Sequence, residues 1–256
     1  MKNGVFINQK RTKNPEMPFQ KLIDGYTAFH KSYFEENPAL YTALADSGQN
    51  PEALVIACSD SRIDPAIVTT SQPGDLFVVR NVAAIVPPYE NDSRRHGTSA
   101  AIEFAVKVLK IKHIIVMGHA LCGGIQALAN KEDTNEIFDF IGPWMSVGST
   151  ALEAVEKSLH DADPQVRQKA LEQAVILLSL NNLMSFPWVR EKATQGSLAL
   201  HGWYFDLKRG VLEEYDPATS SFQAIQTIDT RHDSCECHNF SMDALLRHYR
   251  KTGQAA

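Results

Sequence analysis

Three short apolar runs, rich in β-branched residues, constrain the fold of this chain more than any other feature. They lie at residues 54–57, 76–79 and 114–117, and they lack the polar alternation of a half-exposed strand. Strands that are covered on both faces have this composition. Between the last two runs, residues 97–110 place apolar side chains on one helical face: Ile102, Ala105, Val106 and Leu109. Strand, helix and strand in this order imply parallel pairing, so we predict an α/β fold with a central, mostly parallel β-sheet flanked by helices.

The segments outside this core add helices and one further strand. We predict a flexible N-terminal arm over residues 1–17, a single domain over 18–228 that opens with a helical arm, and a C-terminal tail over 229–256. Residues 197–206 return to strand character and run into a turn at residues 208–210. This pattern predicts an antiparallel strand at the edge of the sheet.

Composition limits the kinds of binding partner and the cellular compartment that we expect for this chain. The chain has 256 residues, of which 44% are hydrophobic and 21% charged, so it can bury a sizeable core. Its net charge of -5 gives no reason to expect nucleic acid or an anionic membrane surface as a partner. We find neither a secretory signal nor a run near the roughly 18 apolar residues of a membrane span. The 4 cysteines do not form a disulfide framework and suit a reducing cytosol, which predicts a cytoplasmic protein.

Two thiols and one imidazole follow two of the predicted strands. Cys58 comes directly after the first run, and His119 and Cys122 come after the third. The carboxyl ends of parallel strands meet at one edge of a sheet, so residues far apart in sequence can form one site there. Cys, Cys and His are a soft ligand set for tetrahedral zinc, with a fourth position left open. An open position is typical of a catalytic zinc, and we predict one Zn²⁺ per chain.

The segments around these ligands carry a family resemblance. CSDSR at 58–62 followed by GHALCGG at 118–124 is similar to the β-class carbonic anhydrases, in their plant-like branch. The similarity runs on through GQNPEALVIACSDSR, QPGDLFVVRNVA, GTSAAIEFAVKVLK and SLALHGWYFD, and it covers residues 19–216. It implies zinc-dependent, reversible hydration of carbon dioxide to bicarbonate and a proton by attack of zinc hydroxide. With two thiolates on the metal, activity should favour neutral to alkaline pH.

Asp60 and Arg62 stand two and four positions after Cys58, and the resemblance implies that they act as a catalytic pair. A planar guanidinium can hold a carboxylate through two parallel hydrogen bonds. Asp60 would then accept a hydrogen bond from the hydroxide and orient it toward the substrate. By itself, an ordinary ion pair after a strand is the simpler interpretation, but the nearby zinc cysteine favours the catalytic one.

The resemblance also implies a substrate pocket and an oligomer. Gln49, Phe77, Val82 and Phe104 match the positions of the family's substrate-binding glutamine and apolar wall, although Phe104 replaces a tyrosine. The simpler interpretation is that Phe77, Val82 and Phe104 are core residues, and for Val82 and Phe104 the two interpretations are equally favoured. Val55 stands where the bicarbonate-inhibited branch has tryptophan, which argues against that regulatory site. The family implies a homodimer or a higher even-numbered homo-oligomer, in which Gln49 and Phe77 reach the partner's site.

Two alternatives keep the fold and change the function. A carbon disulfide or carbonyl sulfide hydrolase could use the same zinc site, since a fold does not fix the substrate. A non-catalytic zinc protein or a thiol redox protein would leave the Asp60–Arg62 pair without a purpose. The tail residues Cys235, Cys237 and His238 lack zinc-finger spacing and are not predicted to bind a second metal.

Overall fold

A single mixed sheet organises the chain. The computed structural model describes residues 18–130, 139–225 and 239–252. Within these residues the sheet has six strands in the order β2-β1-β3-β4-β5-β6. Their bounds are β1 Ala53–Cys58, β2 Leu76–Asn81, β3 His113–His119, β4 Ala199–Asp206, β5 Val211–Asp216 and β6 Ser221–Ala224.

The parallel part of the sheet confirms the predicted α/β fold. β1 pairs with β2 and β3, and β3 pairs with β4, all in parallel. β1 is buried along its whole length, as its uninterrupted apolar sequence requires. At the other end the sheet has two antiparallel strands where the sequence predicted one, because the chain turns back after Asp206 and again after Asp216. Gly210 makes the first turn possible with a φ of 65°.

Helices connect the parallel strands and cover the sheet. Their bounds are α1 Pro18–His30, α2 Ala39–Ser47, α3 Pro65–Thr69, α4 Gly97–Glu103, α5 Gly123–Ala129, α6 Ile141–Met145, α7 Ser149–Leu159, α8 Pro164–Leu183, α9 Pro187–Thr194 and α10 Met242–Thr252. The helical path continues as π-helical turns after α1 (Lys31–Glu36) and α4 (Phe104–Leu109), and as short 3₁₀ turns at Val82–Ala84 and Ser146–Gly148. No helix of these described residues is long and apolar enough to cross a membrane.

Helix α8 lies closest to the sheet. The Asp163 side chain caps its first turn by accepting from the Gln165 amide, and Pro164 opens the helix at the position where proline fits best. Its Ile176 side chain occupies the space that a Cβ would need on Gly118 of β3 or Gly202 of β4. Two glycines on neighbouring strands therefore let this helix approach the sheet closely.

The N-terminal helices form a compact unit that ends at Gln49, and the second unit begins at Asn50. In the first unit, α1 and α2 pack through an aromatic cluster of Phe29, Tyr33, Phe34 and Tyr41. The boundary predicted after residue 17 lies where the described part begins, and the boundary predicted after residue 228 lies outside the described part. Both stay predictions.

Candidate metal centre

The three predicted metal ligands converge at one edge of the sheet. Cys58 is the last residue of β1 and His119 the last residue of β3, and the two strands are neighbours. Cys122 follows in the loop that leads into α5. One ligand atom from each of the three lies within 4.8 Å of the others, and all three side chains are buried. The sheet thus brings together Cys58 and His119, which are 61 positions apart in the sequence (119 − 58).

The distances within this set suit a tetrahedral zinc. The Cys58 and Cys122 sulfurs are 3.9 Å apart. Two sulfurs that each lie about 2.3 Å from one zinc ion at the tetrahedral angle would be about 3.8 Å apart. The His119 ring is oriented by Nδ1–H, which donates to the Ala120 carbonyl at 2.9 Å. Its Nε2 is buried and has no hydrogen-bond partner within the described chain, so a lone pair points into the set.

The Cys58 thiol is prepared for deprotonation, whereas the hydrogen bond to Cys58 and burial raise the pKa of the Cys122 thiol. The hydrogen bond between the Cys58 and Cys122 sulfurs holds the pKa of Cys58 well below the usual thiol value, although burial opposes this effect. His119 and the backbone at Asp60 lower the pKa of Cys58 further. Because metals bind the thiolate, a thiol whose pKa is already low releases its proton to a metal at little cost.

Asp60 and Arg62 form a bidentate pair beside the thiols. Arg62 donates from Nε to Asp60 Oδ1 at 2.9 Å and from Nη2 to Asp60 Oδ2 at 2.7 Å. The same guanidinium also donates to the Leu121 carbonyl at 3.0 Å, which ties the pair to the loop that carries Cys122. Asp60 Oδ2 lies 3.8 Å from His119 Nε2. The hydrogen bonds from Arg62 keep the pKa of Asp60 below its usual range, so this carboxylate stays ionised at neutral pH.

Arg80 on β2 is a contributor that the sequence analysis missed. Its guanidinium donates to the carbonyls of Cys58, Asp60 and Ile63, and it pairs with the Asp64 carboxylate at 3.1 Å. It therefore holds the loop of residues 58–64 against the sheet edge. An arginine directly after the apolar run of residues 76–79 was the available signal, since a charge in a strand of the sheet needs several partners.

Glu172 on α8 is a second missed residue. Its side chain accepts a hydrogen bond from the backbone amide of Cys122 at 3.0 Å. It also accepts from the Tyr204 hydroxyl and from the Gln168 amide, each at 2.8 Å. Burial raises the pKa of Glu172 against the effect of these donors. The sequence signal was that Glu172 is the one acidic residue of α8.

Val82 lies against the start of α5. A Cβ on Gly124 would approach Val82 Cγ1 to 2.8 Å, so Gly124 permits close contact between this helix and the turn after β2. The turn is unusual, because Ala83 has a φ of 65°. The Trp144 indole N–H donates to the Val82 carbonyl at 2.8 Å and holds the turn in place. Val82 therefore borders the segment that carries Cys122, and its role in substrate binding stays a prediction.

Three further residues were predicted to line the substrate pocket: Gln49, Phe77 and Phe104. Phe77 and Phe104 pack against each other with ring centroids 5.9 Å apart, and Phe104 keeps an exposed face. Gln49 ends the N-terminal unit. The contribution of these three residues to substrate binding stays a prediction. The predicted absence of a metal site at Cys235 and Cys237 concerns residues outside the described part.

Known proteins are similar to this chain in sequence and in architecture. A family profile described as carbonic anhydrase matches residues 53–212. Among curated proteins, the chain is 43% identical to "Beta carbonic anhydrase 5, chloroplastic" of Arabidopsis thaliana, over 83% of this chain and 69% of that protein. It is 35% identical to a carbonic anhydrase of Synechocystis, over 81% of this chain and 75% of that protein.

Solved structures give the same result. The β-carbonic anhydrase CcaA superposes with a TM-score of 0.76 at 34% identity, covering 80% of this chain and 91% of that one. A tetrameric β-carbonic anhydrase of Sordaria macrospora superposes with a TM-score of 0.66 at 33% identity, covering 77% of this chain and 95% of that one.

Proposed function

Since the chain belongs to the β-class carbonic anhydrase family, we propose that it hydrates carbon dioxide reversibly to bicarbonate and a proton at a zinc ion held by Cys58, His119 and Cys122. The observation that carries the proposal is the combination of two thiols and a bare imidazole nitrogen with a clamped carboxylate beside them. A structural zinc site would have no use for that carboxylate, and its own fourth ligand would close it.

The donor set fits zinc in its chemistry as well as in its distances. Two thiolates and one neutral imidazole form a soft set, and three protein ligands leave one tetrahedral position for a small molecule. Zinc bound there would supply a Lewis acid that makes water acidic enough to attack at physiological pH. The two thiolates cancel its formal charge, so we expect activity to rise toward alkaline pH.

Asp60 is the residue that would orient the attacking oxygen. Its Oδ1 accepts from Arg62 Nε and from the Arg62 backbone amide, and its Oδ2 accepts from Arg62 Nη2. Oδ2 still has a lone pair, and it lies on the side of His119 Nε2. Because the carboxylate stays ionised, this oxygen can only accept a hydrogen bond, and it selects a molecule that carries a proton toward it. Arg62 contributes by preventing the carboxylate from rotating.

The substrate pocket and the assembly are further parts of the proposal. Carbon dioxide needs little polarity around it, which Phe77, Val82 and Phe104 would provide, with Gln49 as the donor. A homodimer or a higher even-numbered homo-oligomer is supported by the exposed apolar residues of α1, such as Phe19 at 70% and Leu22 at 69%. The tetrameric relatives from Sordaria macrospora support it too. Because the thiol ligands need a reducing environment, we propose a cytoplasmic location.

Stopped-flow hydration of carbon dioxide by the purified, zinc-analysed protein tests the function. Asp60→Asn should lose most of the activity and keep its zinc. Asp92→Asn is a matched control, because Asp92-Ser93-Arg94 repeats the Asp-Ser-Arg sequence and its ion pair at another place. That control should retain wild-type activity. A zinc-loaded wild type that hydrolyses carbon disulfide or carbonyl sulfide and leaves carbon dioxide unchanged would refute the proposal.

A further inference from the structure

Glu172 is a buried carboxylate that the proposed reaction does not use. It is 4% exposed, and its side chain gathers three hydrogen bonds. Oε1 accepts from the Cys122 amide and the Gln168 side chain, and Oε2 accepts from the Tyr204 hydroxyl. Burying a carboxylate is costly even with partners, so packing alone would favour an apolar residue here. An apolar residue would leave both the Cys122 amide and the buried Tyr204 hydroxyl without this acceptor, and of the two only the Cys122 amide belongs to a predicted metal ligand.

The backbone of the Cys122 loop explains why that contact is needed. Leu121 has a φ of 58°, a left-handed conformation that leucine rarely adopts. The chain therefore leaves the strand direction after His119, and the Cys122 amide points away from the neighbouring strands toward α8. A buried amide without an acceptor is costly, because it has given up its hydrogen bond to water and gained nothing in return. The Glu172 carboxylate supplies the acceptor, and a charged acceptor makes a stronger bond than a neutral one.

The packing of α8 fixes where this carboxylate lies. Ile176, one helical turn after Glu172, rests on Gly118, which directly precedes His119. The Glu172 carbonyl oxygen is 4.0 Å from the position of a Cβ on Gly118. The backbone of α8 therefore packs directly against β3, the strand that ends in His119. From this position the Glu172 side chain reaches the loop that carries Cys122.

We propose that Glu172 is a positioning residue for the metal centre. By holding the Cys122 amide, it keeps the Cys122 sulfur at the separation from the Cys58 sulfur that lets both bind one zinc ion, and it thereby slows the loss of zinc. The proposal rests on the proposed function only in taking these two cysteines as zinc ligands. Removing a partner that orients a metal ligand typically costs 10- to 100-fold in metal affinity. We expect a change of this size in the rate at which zinc leaves the protein.

The test measures zinc release into excess chelator from zinc-loaded protein. Glu172→Asp keeps the charge but withdraws the carboxylate by one methylene, and it should release zinc about 10- to 100-fold faster than the wild type. Glu172→Gln keeps the length and an acceptor for the Cys122 amide, so most of the retention should return. Gln173→Asn is the matched control, because it removes one methylene from the next residue of the same helix. Gln173 is 2% exposed, and its side chain bonds to Tyr249 and Glu213, away from the Cys122 amide. This control should release zinc within about threefold of the wild type.

Equal release rates in Glu172→Asp and Gln173→Asn would overturn the proposal, because general loosening of α8 would then explain both. A wild-type rate in Glu172→Asp would overturn it as well. If that variant does not fold, amide exchange of Cys122 in the zinc-loaded wild type decides instead. Slow exchange supports the bond to Glu172, and exchange as fast as in exposed loops refutes it. Zinc-loaded wild type that fails to hydrate carbon dioxide would refute the function alone, since the release rates would still stand.

Discussion

The contact between Gly118 and Ile176 gives a sharp prediction about stability. An alanine at position 118 would place its Cβ 2.7 Å from Ile176 Cδ1 and 2.9 Å from Cγ1. Carbon atoms prefer about 3.5–4.0 Å, so the isoleucine has to move by about 1 Å. It has little freedom to do so, because it is buried, its χ1 is restricted in a helix, and its Cγ2 is already packed against Gly202 of the neighbouring strand. Overpacking of this kind costs about 1–3 kcal/mol.

Shortening the isoleucine should remove that cost. Ile176→Ala alone leaves a cavity and should destabilise the protein by about 2–5 kcal/mol. In the double variant, the new methyl group at position 118 enters the space that the isoleucine has left. The double variant should therefore lose about 1–2 kcal/mol less than the two single losses predict together, a coupling within the range for residues in contact.

Urea unfolding followed by circular dichroism measures these free energies. All variants are compared at the same protein and zinc concentrations, because subunit association and zinc binding both change the apparent free energy of unfolding. Gly123→Ala serves as the control from the same segment, since a Cβ there meets nothing within 4 Å. It should change the unfolding free energy by less than about 0.5 kcal/mol. If the Gly118 and Ile176 losses add within about 0.5 kcal/mol, the reasoning from close contact is wrong.

Four further predictions concern the site. Cys58→Ala or Cys122→Ala should lose both zinc and activity, because each removes one of three protein ligands, and elemental analysis showing full occupancy would contradict the assignment. Asp60 and Arg62 should act as one unit, so the double alanine variant should be little worse than the poorer single one in hydration assays, whereas a loss equal to the product of both would exclude this. Arg62→Gln should let the pKa of Asp60 rise toward 3.8, so the wild type's advantage in unfolding free energy is present above that pH and disappears as pH falls below it. Gln49→Ala and Cys58→Ala, each impaired alone, should regain activity when refolded together if Gln49 serves the partner's site, and a mixture no more active than its parents would argue against that.

The sequence predicted those features that depend on local pattern. Three uninterrupted apolar runs predicted strands covered on both faces, which is right for the central strands β1 and β3 and wrong for β2, an edge strand that is only partly buried. The parallel topology then required Cys58 and His119 to meet at one edge. The second antiparallel strand was missed because its pattern is short and lies at the border of the sheet. Arg80 and Glu172 were missed for another reason. Each acts through backbone atoms of a distant loop, and such contacts leave no spacing in the sequence that could reveal them.

The repeated Asp-Ser-Arg sequence shows where local information ends. At both places the arginine amide donates to the aspartate two residues earlier at 2.9 Å, and the side chains form an ion pair. Local chemistry is therefore the same in the two copies. Only Asp60-Ser61-Arg62 follows a strand that ends beside β3, and there Arg62 reaches the Leu121 carbonyl and Asp60 comes within 3.8 Å of His119. In the other copy Arg94 is 82% exposed, and Asp92 bonds to a histidine on the same loop. The same three residues become part of a metal centre only where the sheet supplies the ligands, so the fold, and not the tripeptide, determines which carboxylate can orient a reacting oxygen.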